Sequence, residues 1–262
     1  MDDNDPAVCW EANAETWTKQ SRAGYDVYRD ALNTPAFLAM LPPVDGLNGL
    51  DVGCGEGTNT RRVAKLGASM RAIDIAPTFI RHAVETEMSE PLGIEYRQGN
   101  AEALPYPDEQ FDFATAFMSL MDVSNPAAAL REIRRVLRPG GFLQFSILHP
   151  CFAPPHRRVL RDDRGEAYAV ELADYFAAGT HVEEWRFGQL DEEEKARSKP
   201  FRVPYAHLTL GGWVDALRQA GFILEKIGEP SADEETAERV PAVADTWIVP
   251  LFMHVLAIRP RS

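Results

Sequence analysis

Apolar residues in this chain fall into short unbroken runs separated by stretches with helical spacing. The first run is Leu47 to Val52; a helical pattern follows over 58–66, then a second run at 69–74. A helix over 77–88 opens with Pro77 in its first turn, where a missing N–H is tolerated. Strand-like runs recur at 93–98 and 111–117. A helix from about Pro126 to Leu137, which Asn125 can cap, leads through the turn-forming Arg138-Pro139-Gly140-Gly141 to a strand at 141–148. This alternation predicts an α/β fold with a doubly wound, mostly parallel sheet.

The flanks break the rhythm. Residues 6 to 41 are amphipathic, with Trp10, Trp17, Tyr25, Tyr28, Phe37 and Leu41 spaced as in two or three short helices ending before Pro42-Pro43, and they read as a lid. Residues 150–208 hold Pro154-Pro155, a charged turn at Asp162 to Gly165 and aromatic pairs, and read as a cap inserted over the carboxyl edge of the sheet. A helix over 210–220 stops at Gly221, and strands near 222–228 and 247–258 form an antiparallel final pair. The acidic stretch 229–239 reads as a solvated loop. The expected divisions are therefore a lid over 1–45, a core over 46–149, a cap over 150–209 and a closing helix and strand pair over 210–262.

At 262 residues and 45% hydrophobic, the chain can bury one large α/β core. Lys plus Arg is 27 against 40 Asp plus Glu, a net charge of −13. That balance argues against nucleic acid as the main partner, because phosphate contacts need clustered cations. The one basic cluster, Arg131 to Arg138, reads as the end of a helix. Three cysteines with no C-x-x-C fit a reducing cytoplasm. The start Met1-Asp2-Asp3-Asn4-Asp5 lacks the basic and apolar segments of a signal peptide, and the Ile248–Ile258 run is too short to span a bilayer, so no membrane partner is expected. A homo-oligomer is not excluded.

The chemistry concentrates at Leu50-Asp51-Val52-Gly53-Cys54-Gly55-Glu56-Gly57-Thr58. Three glycines clear a turn between a strand and a helix whose first N–H groups are unpaired, a geometry that suits a nucleotide-like ligand. A dinucleotide fingerprint would place its third glycine at 58, which is Thr. Asp51 sets a carboxylate at the strand end, where a ligand carrying an ammonium group is welcome and a diphosphate is not. Asp74, 21 residues beyond Gly53, closes the second strand where a carboxylate can accept both hydroxyls of a ribose.

The segment from Asp51 to Gly57 resembles the first motif of the class I S-adenosylmethionine-dependent methyltransferases, in their small-molecule, type 11 branch. Asp74, the Asn100-Ala101 loop, Phe111-Asp112 and Arg138 to Gly141 follow in the order and spacing of that family. The resemblance spans about 47–149. It implies a Rossmann-like, seven-stranded sheet whose last strand is antiparallel, with S-adenosylmethionine as cofactor. The flanking segments resemble those of bacterial natural-product N- and O-methyltransferases, among them lincosamide N-methyltransferases. A small-molecule acceptor carrying an amine or hydroxyl is expected, an acidic field favouring the amine.

Carried onto this chain, the resemblance assigns the cofactor to Asp51, Gly53, Gly55, Asp74 and Ile75, to Asn100, Ala101 and Glu102 at the adenine, and to Phe117 and Met118 near the sulfonium, with Trp17 and Tyr28 from the lid. Asn100 stands where the family carries Asp, so the contact keeps its hydrogen bond and loses its charge. His149, at the end of the fifth strand, is a candidate base, and Tyr25 and Phe117 candidates at the reacting centre. Trp185, Tyr205 and His207 are further candidates for the acceptor pocket. No G-x-S-x-G or H-E-x-x-H occurs, and a metal-independent reaction is expected. The alternatives are a tRNA methyltransferase, a non-catalytic binder of the sulfonium nucleoside and an NAD(P)-dependent oxidoreductase.

Overall fold

A computed structural model describes residues 4–261; the Met1-Asp2-Asp3 of the acidic start lies outside them. The chain begins with helix α1 (Pro6–Arg22), a π-helical turn (Arg29–Asn33) and α2 (Thr34–Met40). There follow β1 (Asn48–Val52), α3 (Thr58–Ala64), β2 (Ser69–Asp74), α4 (Pro77–Ser89), β3 (Glu95–Gln98), β4 (Phe111–Phe117), α5 (Pro126–Val136) and β5 (Leu137–Leu148). Next come β6 (His156–Arg161), β7 (Ala167–Ala173), β8 (Gly179–Trp185), α6 (Glu192–Arg197) and β9 (Phe201–His207). The chain closes with α7 (Leu210–Gln219), β10 (Ile223–Gly228), α8 (Glu234–Arg239), a 3-10 turn (Pro241–Trp247) and β11 (Phe252–Ile258).

Seven strands form one sheet in the order β10-β11-β5-β4-β1-β2-β3. β11 runs antiparallel to both neighbours; the other pairings are parallel. The strand order reverses between β1 and β4, so the crevice beyond their carboxyl ends is where this topology receives ligands. Both faces are covered, as a parallel sheet requires. On one face α5 buries Ala129, Leu130, Ile133 and Val136 with Trp213 of α7; its start is capped by Asn125, whose Oδ1 accepts the Ala128 N–H at 3.0 Å. On the other, Val63 of α3, Met70, Phe113 and Phe37 of α2 pack together. Among the described residues no helix is long and apolar enough to cross a membrane.

Three local expectations are corrected. Arg138 to Gly141 is no separate turn: β5 runs through it as an irregularity in the ladder, Asp112 of β4 opposing the four residues 138–141 of β5, with Gly140 at φ +84°. The 229–239 stretch is not an unstructured loop. Asp233 caps α8 by accepting the Thr236 N–H at 2.7 Å, and Ala237 and Val243 are buried against Tyr28 while the glutamates face water. The 3-10 turn then consumes residues 241–247, so β11 starts at Phe252 rather than 247.

The segment after β5 carries two antiparallel pairs, β6–β7 and β8–β9. α1 meets it through Asn13, whose Nδ2 donates to the Arg202 carbonyl at 3.0 Å. Ala206 N–H donates to the Met121 carbonyl at 2.7 Å, joining β9 to the loop that leaves β4.

Candidate functional site

The carboxyl ends of β1, β2 and β4 open into a cavity of ≈600 Å³, walled on the far side by the amino-terminal helices and β8–β9. Its floor is the glycine turn. Gly53 and Gly57 have φ of +72° and +87°, and a Cβ there would lie 2.4 Å from Ser119 Cβ and 2.6 Å from the Tyr96 hydroxyl oxygen. Packing within the protein therefore demands these two glycines. Gly55, at φ +55°, is different: a Cβ would meet no protein atom within 4 Å, which leaves open space above the turn for a ligand.

Two buried carboxyls hold the turn. Asp74 accepts the Gly55 N–H at 2.8 Å through Oδ2 and the Ala76 N–H at 2.9 Å through Oδ1. Burial outweighs those bonds and pushes its pKa up to about 6. Asp51 accepts the hydroxyls of Thr60 at 2.5 Å and Thr115 at 2.8 Å and is likewise pushed up to about 6, by burial and by Asp74 beside it. Much of Asp51's hydrogen-bonding capacity is thus spent on the protein, a constraint that sequence spacing does not reveal.

Ile75 and the loop of Asn100, Ala101 and Glu102 line the same end of the cavity. Asn100 Oδ1 accepts the Glu102 N–H at 2.9 Å, an Asx turn. Phe117 and Met118 line it where β4 ends. Met118 is held at φ +52°, a strained conformation for a non-glycine residue, with its N–H donating to the Ser146 carbonyl at 3.0 Å. Phe117 packs against Phe37 with ring centres 3.9 Å apart and planes tilted by 35°, which ties α2 to the end of β4.

The amino-terminal helices bring Trp17, Tyr25 and Tyr28 to the cavity. Trp17 packs within 5.0–5.3 Å of the rings of Phe187, Phe201 and Trp185. The Tyr28 hydroxyl donates to Asp245 at 2.8 Å, and burial beside that carboxylate raises its pKa. Trp185 and Tyr205 line the opposite wall.

Two histidines sit elsewhere, which argues against the roles expected of them. His149 is 2% exposed and does not line the cavity. Its Nδ1 accepts the Cys151 N–H at 3.1 Å, so Nε2 carries the proton and donates to Glu229 at 2.8 Å. Both nitrogens are engaged and neither faces the ligand space, so the base role does not fit. His207 is fully buried and reaches the Tyr175 carbonyl at 2.8 Å instead.

Arg29 and Glu183 line the cavity but were missed by the sequence reading. Arg29 sits in the π-helical turn, a distortion found often at functional sites, 3.9 Å from Glu56 of the glycine turn. Glu183 lies two residues before Trp185 on β8, so strand alternation puts both side chains on one face, and that signal was available.

A methyltransferase-domain family matches residues 50–145. The chain is 32% identical over 148 residues to a ubiquinone biosynthesis O-methyltransferase of Parvibaculum lavamentivorans, covering 55% of this chain and 53% of that one. It is 38% identical over 136 residues to a demethylmenaquinone methyltransferase of Tropheryma whipplei, covering 51% and 56%. The chain spans about half the length of these curated relatives. Its structure superposes on an S-adenosylmethionine-dependent methyltransferase of Mesorhizobium loti with TM-score 0.71 and 29% identity, over 86% of this chain and 96% of the other.

Proposed function

Residues 50–145 are a methyltransferase domain of the class I, S-adenosylmethionine-dependent kind, and from that premise we propose that this chain methylates an amine or hydroxyl of a small molecule. The observation that carries the reading is one cavity lined both by the open glycine turn, Asp74 and Asn100 and by the aromatic Trp17, Trp185 and Tyr205. The names of the two relatives, a ubiquinone biosynthesis O-methyltransferase and a demethylmenaquinone methyltransferase, support a small-molecule acceptor.

When bound, the cofactor supplies a methyl group on a cationic sulfur. Asp74 would accept the ribose hydroxyls, each of its oxygens keeping acceptor capacity beyond the one N–H it already takes. Asn100 and Glu102 face the adenine. Gly55 would admit the chain to the turn and Asp51 would favour its ammonium. Phe117 and Met118 bound the methyl position with soft, polarisable groups. Trp17, Tyr25 and Tyr28 close the chamber over the acceptor, excluding water and fixing orientation. Such positioning can supply up to roughly 7–11 kcal/mol of the barrier reduction.

Calorimetric titration with S-adenosylhomocysteine, with NAD as the parallel control, tests the reading. Micromolar binding of the homocysteine nucleoside and none of NAD is expected. Binding of NAD alone would overturn it and make the glycine turn a diphosphate site.

A further inference from the structure

The cavity holds an acid without a partner among the described residues. Asp122, in the loop leaving β4, is 8% exposed and lines the cavity, and no group of the described residues donates a hydrogen bond to its carboxyl. A buried acid in that state is costly unless something answers it. Glu183 of β8 lines the same cavity and is also without an ion-pair partner among the described residues. The two carboxyls act on each other's surroundings: Glu183 and Asp74 add like charge to the burial that raises Asp122 well above the usual carboxylate range, and the buried Tyr205 phenol is raised by both Glu183 and Asp122. Only His181 lowers Glu183.

The cations near the chamber are committed elsewhere. No lysine lines the cavity. Arg29 is bound to Asp30 at 3.1 Å and to Ser21, and the exposed Arg186 donates to the Ser198 carbonyl at 3.1 Å. Among the described residues no group of three His, Cys, Asp or Glu is arranged to hold a metal ion. What remains is an acidic chamber with aromatic walls. A hydroxyl acceptor would need one hydrogen-bond acceptor; two unanswered carboxyls beside indole and phenol faces suit a positive charge.

We propose that this chamber receives a protonated amine of the methyl acceptor, with Asp122 and Glu183 as its counter-charge and Trp17, Trp185 and Tyr205 as its walls. The inference rests on the methyltransferase reading and narrows its acceptor from amine or hydroxyl to amine. Asp122 and Glu183 then determine specificity. Once the ammonium has drawn Asp122 into its ionised form, its own proton leaving to water, that carboxylate can take the ammonium proton, turning R–NH3+ into the free amine with its lone pair available and becoming a carboxylic acid.

The test is calorimetry on the full chain saturated with S-adenosylhomocysteine, using phenethylamine against 2-phenylethanol and glucosamine against glucose. At least one amine should bind more than 10-fold tighter than its hydroxyl counterpart. Asp122→Asn, of the same shape, should erase that preference, and Glu183→Gln, at a more exposed position where folding is less at risk, should reduce it several-fold. Equal affinity within both pairs, no detectable amine binding, or a preference that survives both substitutions would overturn the proposal. Failure of S-adenosylhomocysteine itself to bind would instead overturn the methyltransferase reading on which it rests.

Discussion

Replacing Asp74 with alanine separates what the site does for the ligand from what it does for the fold. In the free protein the carboxyl accepts two backbone N–H bonds, from Gly55 and Ala76, and hydrogen bonds to charged groups contribute about 1.5–3 kcal/mol each. Against them stands burial. A pKa moved from 3.8 to about 6 means that the ionised form is disfavoured by roughly 3 kcal/mol in the folded protein at neutral pH. That figure already nets burial against the two bonds, so removing the side chain relieves a net penalty on the ionised form and the free protein should lose little stability. Cofactor affinity has no such offset: loss of the charged contact to the ribose should weaken binding by about 1.5–3 kcal/mol, between about 10-fold and 150-fold. The assay is calorimetric titration of S-adenosylhomocysteine into parent and variant, with thermal unfolding of each alone. Unchanged affinity in a normally folded variant would refute the reasoning and remove Asp74 from the ribose site.

Raised carboxyls make a stability contribution that is fully present below 3.8 and lost as the pH climbs through about 6, so Asp51 and Asp74 should leave the free protein less stable at pH 7.5 than their protonated forms would. The ligand answers the ionised forms, so S-adenosylhomocysteine should bind more tightly at pH 7.5 than at pH 5; a flat profile by calorimetry would contradict that. Gly57→Ala forces a Cβ onto the Tyr96 hydroxyl at positive φ and should lower thermal stability by about 1–3 kcal/mol, whereas Gly55→Ala meets no protein atom, should cost about 1 kcal/mol from strain, and should lose affinity instead. Equal behaviour of the two variants in melting and binding would show that the open space at Gly55 is not used. His254 is buried, with Nε2 2.6 Å from Asn33 Oδ1, and burial lowers its pKa to about 4. Its stability contribution is present above 6.5 and lost as the pH falls toward 4, roughly 3 kcal/mol in all, and denaturant unfolding of His254→Gln should show a shallower loss between pH 6.5 and 4 than the parent.

Much of the core was legible because its signals are local. Runs such as Leu50-Asp51-Val52 and the capped, one-faced pattern of α5 depend on neighbours within a turn or a strand, and Asn125 caps α5 where composition says it should. The glycine turn was readable as a ligand turn, but not which glycine serves the ligand. Only packing reveals that Gly53 and Gly57 are held by Ser119 and Tyr96 while Gly55 faces open space. The acidic stretch misled because its charges mask a capped helix whose one buried apolar residue, Ala237, packs with Val243 of the following 3-10 turn and with Tyr28, more than 200 positions away in the chain.

The histidines and acids divide along the same line. That His149 ends a strand is sequence; that both its nitrogens are taken, by Cys151 and by Glu229 eighty residues on, is tertiary. Asp122 and Glu183 are unremarkable apart in the chain, and become a pair only because Ala206 of β9 hydrogen-bonds Met121 and brings the inserted strands against the loop after β4. By itself the sequence determined the alternation of strands and helices, the glycine turn and the kind of ligand it admits, because these follow from backbone sterics and short-range periodicity. The tertiary structure alone decided which polar groups are spent on the protein and which remain for a ligand, because burial and hydrogen-bond satisfaction are set by contacts between residues distant in the chain.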